Sequence, residues 1–252
     1  MRIDLNADLG ESFGVYSIGD DAALMPSITS ANIACGAHAG DPTVMRRTVQ
    51  LARDSGVEIG AHPGFPDLAG FGRRAMTLSP TEIEDLVLYQ LAALAGIARA
   101  EGAAVHHLKA HGALYTMAAA DVSVATAVAR AAHGFDPSLI VFGLAGSPTL
   151  TAVRDSGLRV AAEGFADRAY APDGALASRQ LPGAVLTDPA QVLERALRML
   201  EHRQVVATDG SVLPLEVDTI CIHGDTPGAA ALASSLRAGL ERAGVQVRPV
   251  SA

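Results

Sequence analysis

Val105-His-His-Leu-Lys-Ala-His-Gly-Ala-Leu-Tyr115 begins as a short apolar run, Val105–Leu108, and leaves it through Lys109, His111 and a glycine. A brief apolar run that ends in turn residues reads as a buried strand. Lys109 and His111 are spaced by two, so they point to one side of that strand, with Tyr115 just beyond. A lysine on the inward face of a buried strand is costly unless paired, which favours a functional reading over a packing one.

The same layout recurs outward in both directions. Ile3–Leu5, Ser30–Ala34, Val57–Ala61, Leu139–Leu144, Leu158–Ala162 and Thr219–Ile222 are further short apolar runs, giving about seven strands. Between them lie helix starts built from a short polar residue and proline: Asp41-Pro42, Ser79-Pro80, Ser147-Pro148, Asp188-Pro189 and Thr226-Pro227. The first residue caps free N–H groups, and the proline fits the first turn, where its missing N–H costs nothing. After Ser79, Glu82 gives a capping-box spacing, and Ile83, Leu86, Val87, Leu91, Leu94, Ile97 and Ala98 share one helical face up to Gly102. Similar stripes follow Asp121, Asp188 and Thr226, with Gly134 and Gly244 as expected stops. A β-then-α rhythm implies a mainly parallel sheet, either closed into a barrel or left open and doubly wound.

The polar residues decide for an α/β fold of the (β/α) barrel kind. Asp4, Asn6, Asp8 and Glu11 cluster in or after the first run, and His38, His62, and Lys109 with His111 follow the next three. Glu163 follows the sixth run, and His223 with Asp225 the seventh. A barrel gathers these strand ends on one rim, where such folds build their sites, whereas an open sheet scatters them. Two stretches break the rhythm. Gln204–Val217, with Asp209-Gly210 inside it, reads as a hairpin, and Tyr170–Thr187 as a long loop suited to a lid.

Composition narrows the function classes. The chain of 252 residues is 49% hydrophobic and only 18% charged, as expected for one domain, 1–252, with a helix-covered sheet. Acidic residues outnumber basic ones 27 to 19, for a net charge of −8, and no Lys/Arg run could track a phosphate backbone. Nucleic acid is therefore not an expected partner. MRIDLNADLGE carries charges where a signal peptide needs an apolar core, and no run approaches the roughly 18 apolar residues of a membrane span. No membrane partner and a cytoplasmic location are expected. Cys35 and Cys221 lack structural-zinc spacing and read as reduced, buried thiols.

Each motif has a bland reading beside its chemical one. In Leu5-Asn-Ala-Asp-Leu-Gly-Glu-Ser12, Asp8 and Glu11 could ligate a metal or move protons, or simply form a solvated turn with a cap. Cys35-Gly-Ala-His-Ala-Gly-Asp41 sets His38 between glycines, where backbone can approach a ligand closely, with Asp41 as a helix cap. Gly60-Ala-His-Pro-Gly-Phe-Pro-Asp67 repeats the pattern at His62 and leads to Arg73 and Arg74, either of which could hold an anion or lie on the surface. His38 and His62, with Asp8, could hold a divalent metal, although no HxxxH or HExxH spacing marks one. Glu163-Gly-Phe-Ala-Asp-Arg-Ala-Tyr170 offers a carboxylate, a mixed charge pair and an aromatic for Lys109 or a polar substrate, and otherwise a local ion pair. His223-Gly-Asp-Thr-Pro-Gly228 opens a helix that could receive a carboxylate, but has no P-loop spacing.

LNADLGE, ACGAHAGD, GAHPGFPD, LKAHGALY, EGFADRAY and ICIHGDTPGA resemble, in order, the blocks of the LamB/YcsF family, over nearly the whole chain. The resemblance implies a barrel of about seven parallel strands, like that of the glycoside hydrolase/deacetylase folds. It also implies one component of a 5-oxoprolinase, working with two other subunits, B and C, to open 5-oxoproline to glutamate at the expense of ATP. On that reading Asp8, His38 or His62 positions or deprotonates water, and Lys109 and His111 stabilise negative charge. Asn6, Glu11, Arg73, Tyr115, Glu163, His223 and Asp225 contact the substrate, with ATP as cosubstrate. A divalent metal on His38 and His62, and a homo-oligomer, are compatible additions. The rival readings are a metal-dependent deacetylase or amidase acting alone, and a non-catalytic subunit that captures the small acid.

Overall fold

The computed structural model describes residues 1–179, 181–225 and 228–251. In chain order the elements are β1 (Arg2–Leu9), α1 (Asp21–Leu24), β2 (Ser30–Ala34), α2 (Pro42–Ser55), β3 (Glu58–His62), α3 (Pro80–Ala100) and β4 (Val105–Lys109). Then come α4 (Gly112–Ala120), α5 (Val122–Phe135), β5 (Ile140–Leu144), α6 (Pro148–Asp155), β6 (Arg159–Phe165) and α7 (Pro189–His202). The chain ends with β7 (Gln204–Val206), β8 (Val212–Pro214), β9 (Thr219–Ile222), α8 (Ala229–Arg242) and β10 (Gln246–Val247).

Strands β1 to β6 pair in sequence order, all parallel; β9 follows β6 and pairs back onto β1 through Asp4↔Thr219 to Ala7↔Ile222. The sheet is thus a closed barrel of seven parallel strands, and closure leaves no open edge among them. β10 extends the N-terminal end of β1 in parallel, and β7 with β8 forms the expected antiparallel hairpin around Asp209-Gly210.

Local sequence explains the helix starts. Asp41 accepts from the N–H groups of Thr43 and Val44, and Ser79 and Glu82 form both halves of a capping box. Ser147 differs from expectation: Pro148 opens α6, but the serine makes no capping bond. Gly134 does not stop α5, which runs to Phe135 and turns at Asp136. The Thr226-Pro227 start lies outside the described residues. The rhythm of strands hid α4, whose Gly-Ala-rich sequence carries no clear apolar stripe.

Alternation along the strands sorts side chains by face. Ile3, Leu5, Ala7 and Leu9 of β1, Leu108 of β4 and Ile220 and Ile222 of β9 belong to the main apolar core. The opposite faces put Asp4, Asn6, Asp8, Ser30, Asn32, His107, Lys109, Glu163 and Thr219 in mutual contact, all buried. A barrel interior filled by charged and amide groups is tolerated only where these groups satisfy one another. Asp4 accepts from Thr29, Ser30 and Thr219; burial outweighs those bonds and pushes its carboxyl up to about 6. Phe142 stacks on His107 at 4.3 Å, and Ile140, Phe142 and Ala161 form a small separate apolar cluster closed by Val250.

Gly60 makes room for this column. A Cβ there would lie 2.0 Å from His107 Nε2, a contact no side chain sustains. Gly60→Ala is expected to cost about 1–3 kcal/mol of unfolding free energy through overpacking. Its cost should shrink in a His107→Ala background, and denaturant unfolding of the four proteins of that cycle measures the coupling.

Candidate functional site

At the C-terminal rim of the barrel lies a cavity of about 490 Å³, lined by Asp8, His62, Lys109, His111, Arg168 and His223 among others. A neighbouring cavity of about 580 Å³ shares Tyr115, Thr116 and Leu176 with it, but its walls carry no lysine, arginine or histidine. Acid–base chemistry therefore belongs to the first.

Its floor is an ion triad. Lys109 Nζ lies 3.0 Å from Asp8 Oδ1 and 2.8 Å from Glu163 Oε1. It also donates to Asn6 Oδ1 at 3.2 Å and contacts Cys221 Sγ at 3.0 Å. Burial alone would strip the proton from the ammonium, but Asp8, Cys221 and Glu163 outweigh it and hold Lys109 well above the usual lysine range. Burial likewise works against ionised Asp8, and His62 with Lys109 overcomes it to hold that carboxyl well below its usual range. Asn32 donates to the same Asp8 oxygen at 2.9 Å, and His107 supports Asn32 from behind.

Beside the triad stand three histidines and a glutamate. His62 Nδ1 faces the carbonyl of Lys109 at 2.8 Å, and His111 Nε2 faces that of Phe71 at 2.8 Å. A carbonyl only accepts, so both of these nitrogens carry hydrogen. The remaining nitrogens, His62 Nε2 and His111 Nδ1, are 3.0 Å apart, and His62 Nε2 also lies 3.4 Å from Asp8 Oδ2. His38 stacks on His111 at 3.7 Å, and both of its ring nitrogens are buried without a hydrogen-bond partner. Glu11 Oε1 lies 3.8 Å from His111 Nδ1 and 3.9 Å from His38 Nε2. Burial pushes His111 down to about 3 and His38 well below its usual range, whereas burial and Asp8 push Glu11 well above its own. Ring nitrogens that converge beside a carboxyl and an unpartnered histidine suit a cation: Glu11, His38, His62 and His111 lie close enough to share one.

The remaining walls come from three loops. After β9, His223 Nδ1 is 2.8 Å from Asp167 Oδ2, which fixes the ring and leaves its other nitrogen for the cavity. Across the mouth, Asp225 meets Arg73 at 2.5 Å and Arg179, from the long loop after β6, at 3.4 Å. That loop also supplies Leu176 and Ala177 to the wall.

The fold brings most of the residues expected from sequence to one rim, but not all to the open space. Asp8, Glu11, His62, Arg73, Lys109, His111, Tyr115, His223 and Asp225 line the cavity. Asn6, expected against substrate, is instead fully buried beneath it, and Glu163 is buried there too and pairs with Lys109, one of the two partners its sequence suggests. His38 stands behind His111 and does not line the cavity. Arg73, expected to hold an anion, is engaged by Asp225. Asn32 and His107 are not among the expected site residues; the period-two alternation of β2 and β4 is the available signal for them.

The LamB/YcsF family model matches residues 3–252, and the chain belongs to that family. It is 56% identical over 248 residues to the A subunit of 5-oxoprolinase from Chloroflexus aggregans, covering 98% of each chain. Identity to the corresponding 5-oxoprolinase component of Heliobacterium modesticaldum is 53% over 248 residues, again with 98% of each covered. Among solved structures, a lactam utilization protein from Thermus thermophilus superposes with a TM-score of 0.93 at 48% identity, over 98% of this chain and 99% of the other.

Removing the ammonium from the triad leaves two carboxylates buried without their partner. Lys109→Met is expected to cost about 3–5 kcal/mol of stability. Adding Glu163→Gln should recover part of that loss, and denaturant midpoints of the single and double variants decide it.

Proposed function

We propose that this LamB/YcsF chain, acting as one domain over residues 1–252, is the A subunit of an ATP-dependent 5-oxoprolinase and works with two partner subunits. The substrate is 5-oxoproline, whose ring amide opens to give glutamate. The observation that carries this reading is the rim cavity itself, with an ionised carboxylate, Asp8, held on its floor by a buried lysine and flanked by histidines. Full-length similarity to proteins named as this 5-oxoprolinase component, and to a lactam utilization protein, supports the substrate class.

A five-membered lactam is an unreactive amide, so phosphoryl transfer from ATP to its carbonyl oxygen is the activating step. Water then adds to the activated carbon and the ring nitrogen departs with a proton, leaving an acyl phosphate. A second water releases phosphate, so the products are glutamate, ADP and phosphate. In this scheme Asp8 orients the incoming water and takes its proton. Lys109 already donates to Asp8, Glu163 and Asn6, so it is a positioning residue that acts through Asp8. His223, aligned by Asp167, delivers the proton to the departing nitrogen.

A divalent cation fits the residues present, because His38 has no hydrogen-bond partner among the described residues and ring nitrogens of His62 and His111 converge. Glu11, His38, His62 and His111 would hold it, and the carbonyls of Lys109 and Phe71 would fix the ring orientations. Bound there, it supplies positive charge to polarise an oxygen. The same unpartnered His38 favours the second reading, a metal-dependent amidase that works without ATP.

Glutamate release from 5-oxoproline should require ATP and both partner subunits. His62→Ala and Asp8→Asn should each lower kcat by about 100-fold or more with the fold retained, as read by circular dichroism. Amide hydrolysis by the single chain without ATP, abolished by chelation, would establish the second reading instead.

A further inference from the structure

We propose that Arg168 forms a carboxylate-binding subsite on the cavity wall, recognising a small monocarboxylate by its charge. The assignment of that carboxylate to the lactam's own C2 substituent rests on the 5-oxoprolinase reading; the subsite itself rests on the geometry.

Three guanidinium groups line the cavity: Arg73, Arg168 and Arg179. Two of them share one carboxylate, since Asp225 bonds Arg73 at 2.5 Å and Arg179 at 3.4 Å. Arg168 is the exception. It is only 7% exposed, yet among the described residues it makes no ion pair. Among the described residues its guanidinium donates a single hydrogen bond, from Nη2 to the carbonyl of Ala177 at 2.6 Å, and its Nε is buried without a partner. The neighbouring carboxylate, Asp167, is directed to His223.

A buried guanidinium without a carboxylate is an expensive arrangement, and an arriving anion removes the expense. Burial, then the nearby charge of Arg179, pulls Arg168 below its ordinary range, which is the direction of a site short of negative charge. The same cavity is lined by Asp8, whose carboxylate repels an anion. A carboxylate therefore settles at Arg168 and turns the other end of its molecule toward Asp8 and the histidines. Because Ala177 lies on the loop after β6, the same side chain ties that loop over the bound molecule.

The test uses the three-subunit enzyme with ATP and two lactams, 5-oxo-L-proline and 2-pyrrolidinone, which lacks the carboxylate. In Arg168→Gln the KM for 5-oxoproline should rise about 100-fold, while turnover of 2-pyrrolidinone stays at the unmodified enzyme's level. Arg168→Lys should recover part of the loss. A KM for 5-oxoproline unchanged in Arg168→Gln, with an unchanged melting curve, would overturn the subsite. Should Arg168→Gln fail to fold, Arg168→Lys decides: a raised KM for 5-oxoproline alone supports the subsite, and an unchanged one overturns it. Should the unmodified enzyme turn over neither lactam, the 5-oxoprolinase reading falls. Calorimetric binding of 5-oxoproline to the chain, weakened by Arg168→Gln or indifferent to it, then decides the subsite separately.

Discussion

The ammonium of Lys109, buried between Asp8 and Glu163, is the contact on which the rest of the molecule depends. An isolated charge inside a closed barrel is prohibitive, and so is an isolated carboxylate. Placed 3.0 and 2.8 Å apart they become mutually necessary, and the amides of Asn6 and Asn32 donate to Glu163 and Asp8 in turn. The demand then spreads. Asn32 needs His107, His107 needs the missing Cβ of Gly60, and Asn6 needs Thr219. A polar column thus replaces the branched apolar layers that fill many barrels. Outside it, an ordinary apolar core binds the strands to their helices.

This division explains why the site is at the rim and why it is rigid. The column brings Asp8 to the surface of the floor already ionised and already oriented, so nothing need be rearranged when a polar substrate arrives. The histidines are fixed by main-chain carbonyls at the ends of their own elements, His62 by Lys109 and His111 by Phe71. Adjustable parts are kept to the mouth, where Arg73, Asp225 and Arg179 join three separate loops through exposed or half-buried ion pairs that are weak individually.

Much of the fold was legible because it is local. Short apolar runs with polar exits mark each barrel strand, and Asp41, Ser79 and Asp188 announce their helices by capping chemistry that depends on only a few residues. The rim could be anticipated from where Asp8, His38, His62, Lys109, His111 and His223 fall after the strands. What could not be read was pairing across the chain. Nothing near Asp225 in sequence says that it will take Arg73, and the choice of Glu163 between Lys109 and a substrate is made only where β6 aims it at the lysine. Asp167 and Arg168 read as one local ion pair, whereas the fold sends the carboxylate to His223 and leaves the guanidinium alone. Helix α4 stayed hidden because an alanine-rich segment buried on several sides has no stripe to detect.

The most direct test is a crystal structure of the chain with 5-oxoproline bound. The account predicts the lactam in the rim cavity, its ring carbonyl carbon facing the carboxylate of Asp8, with Lys109 still held between Asp8 and Glu163. A lactam seated elsewhere on the molecule, or a Lys109 swung out of the triad to meet it, would contradict the account.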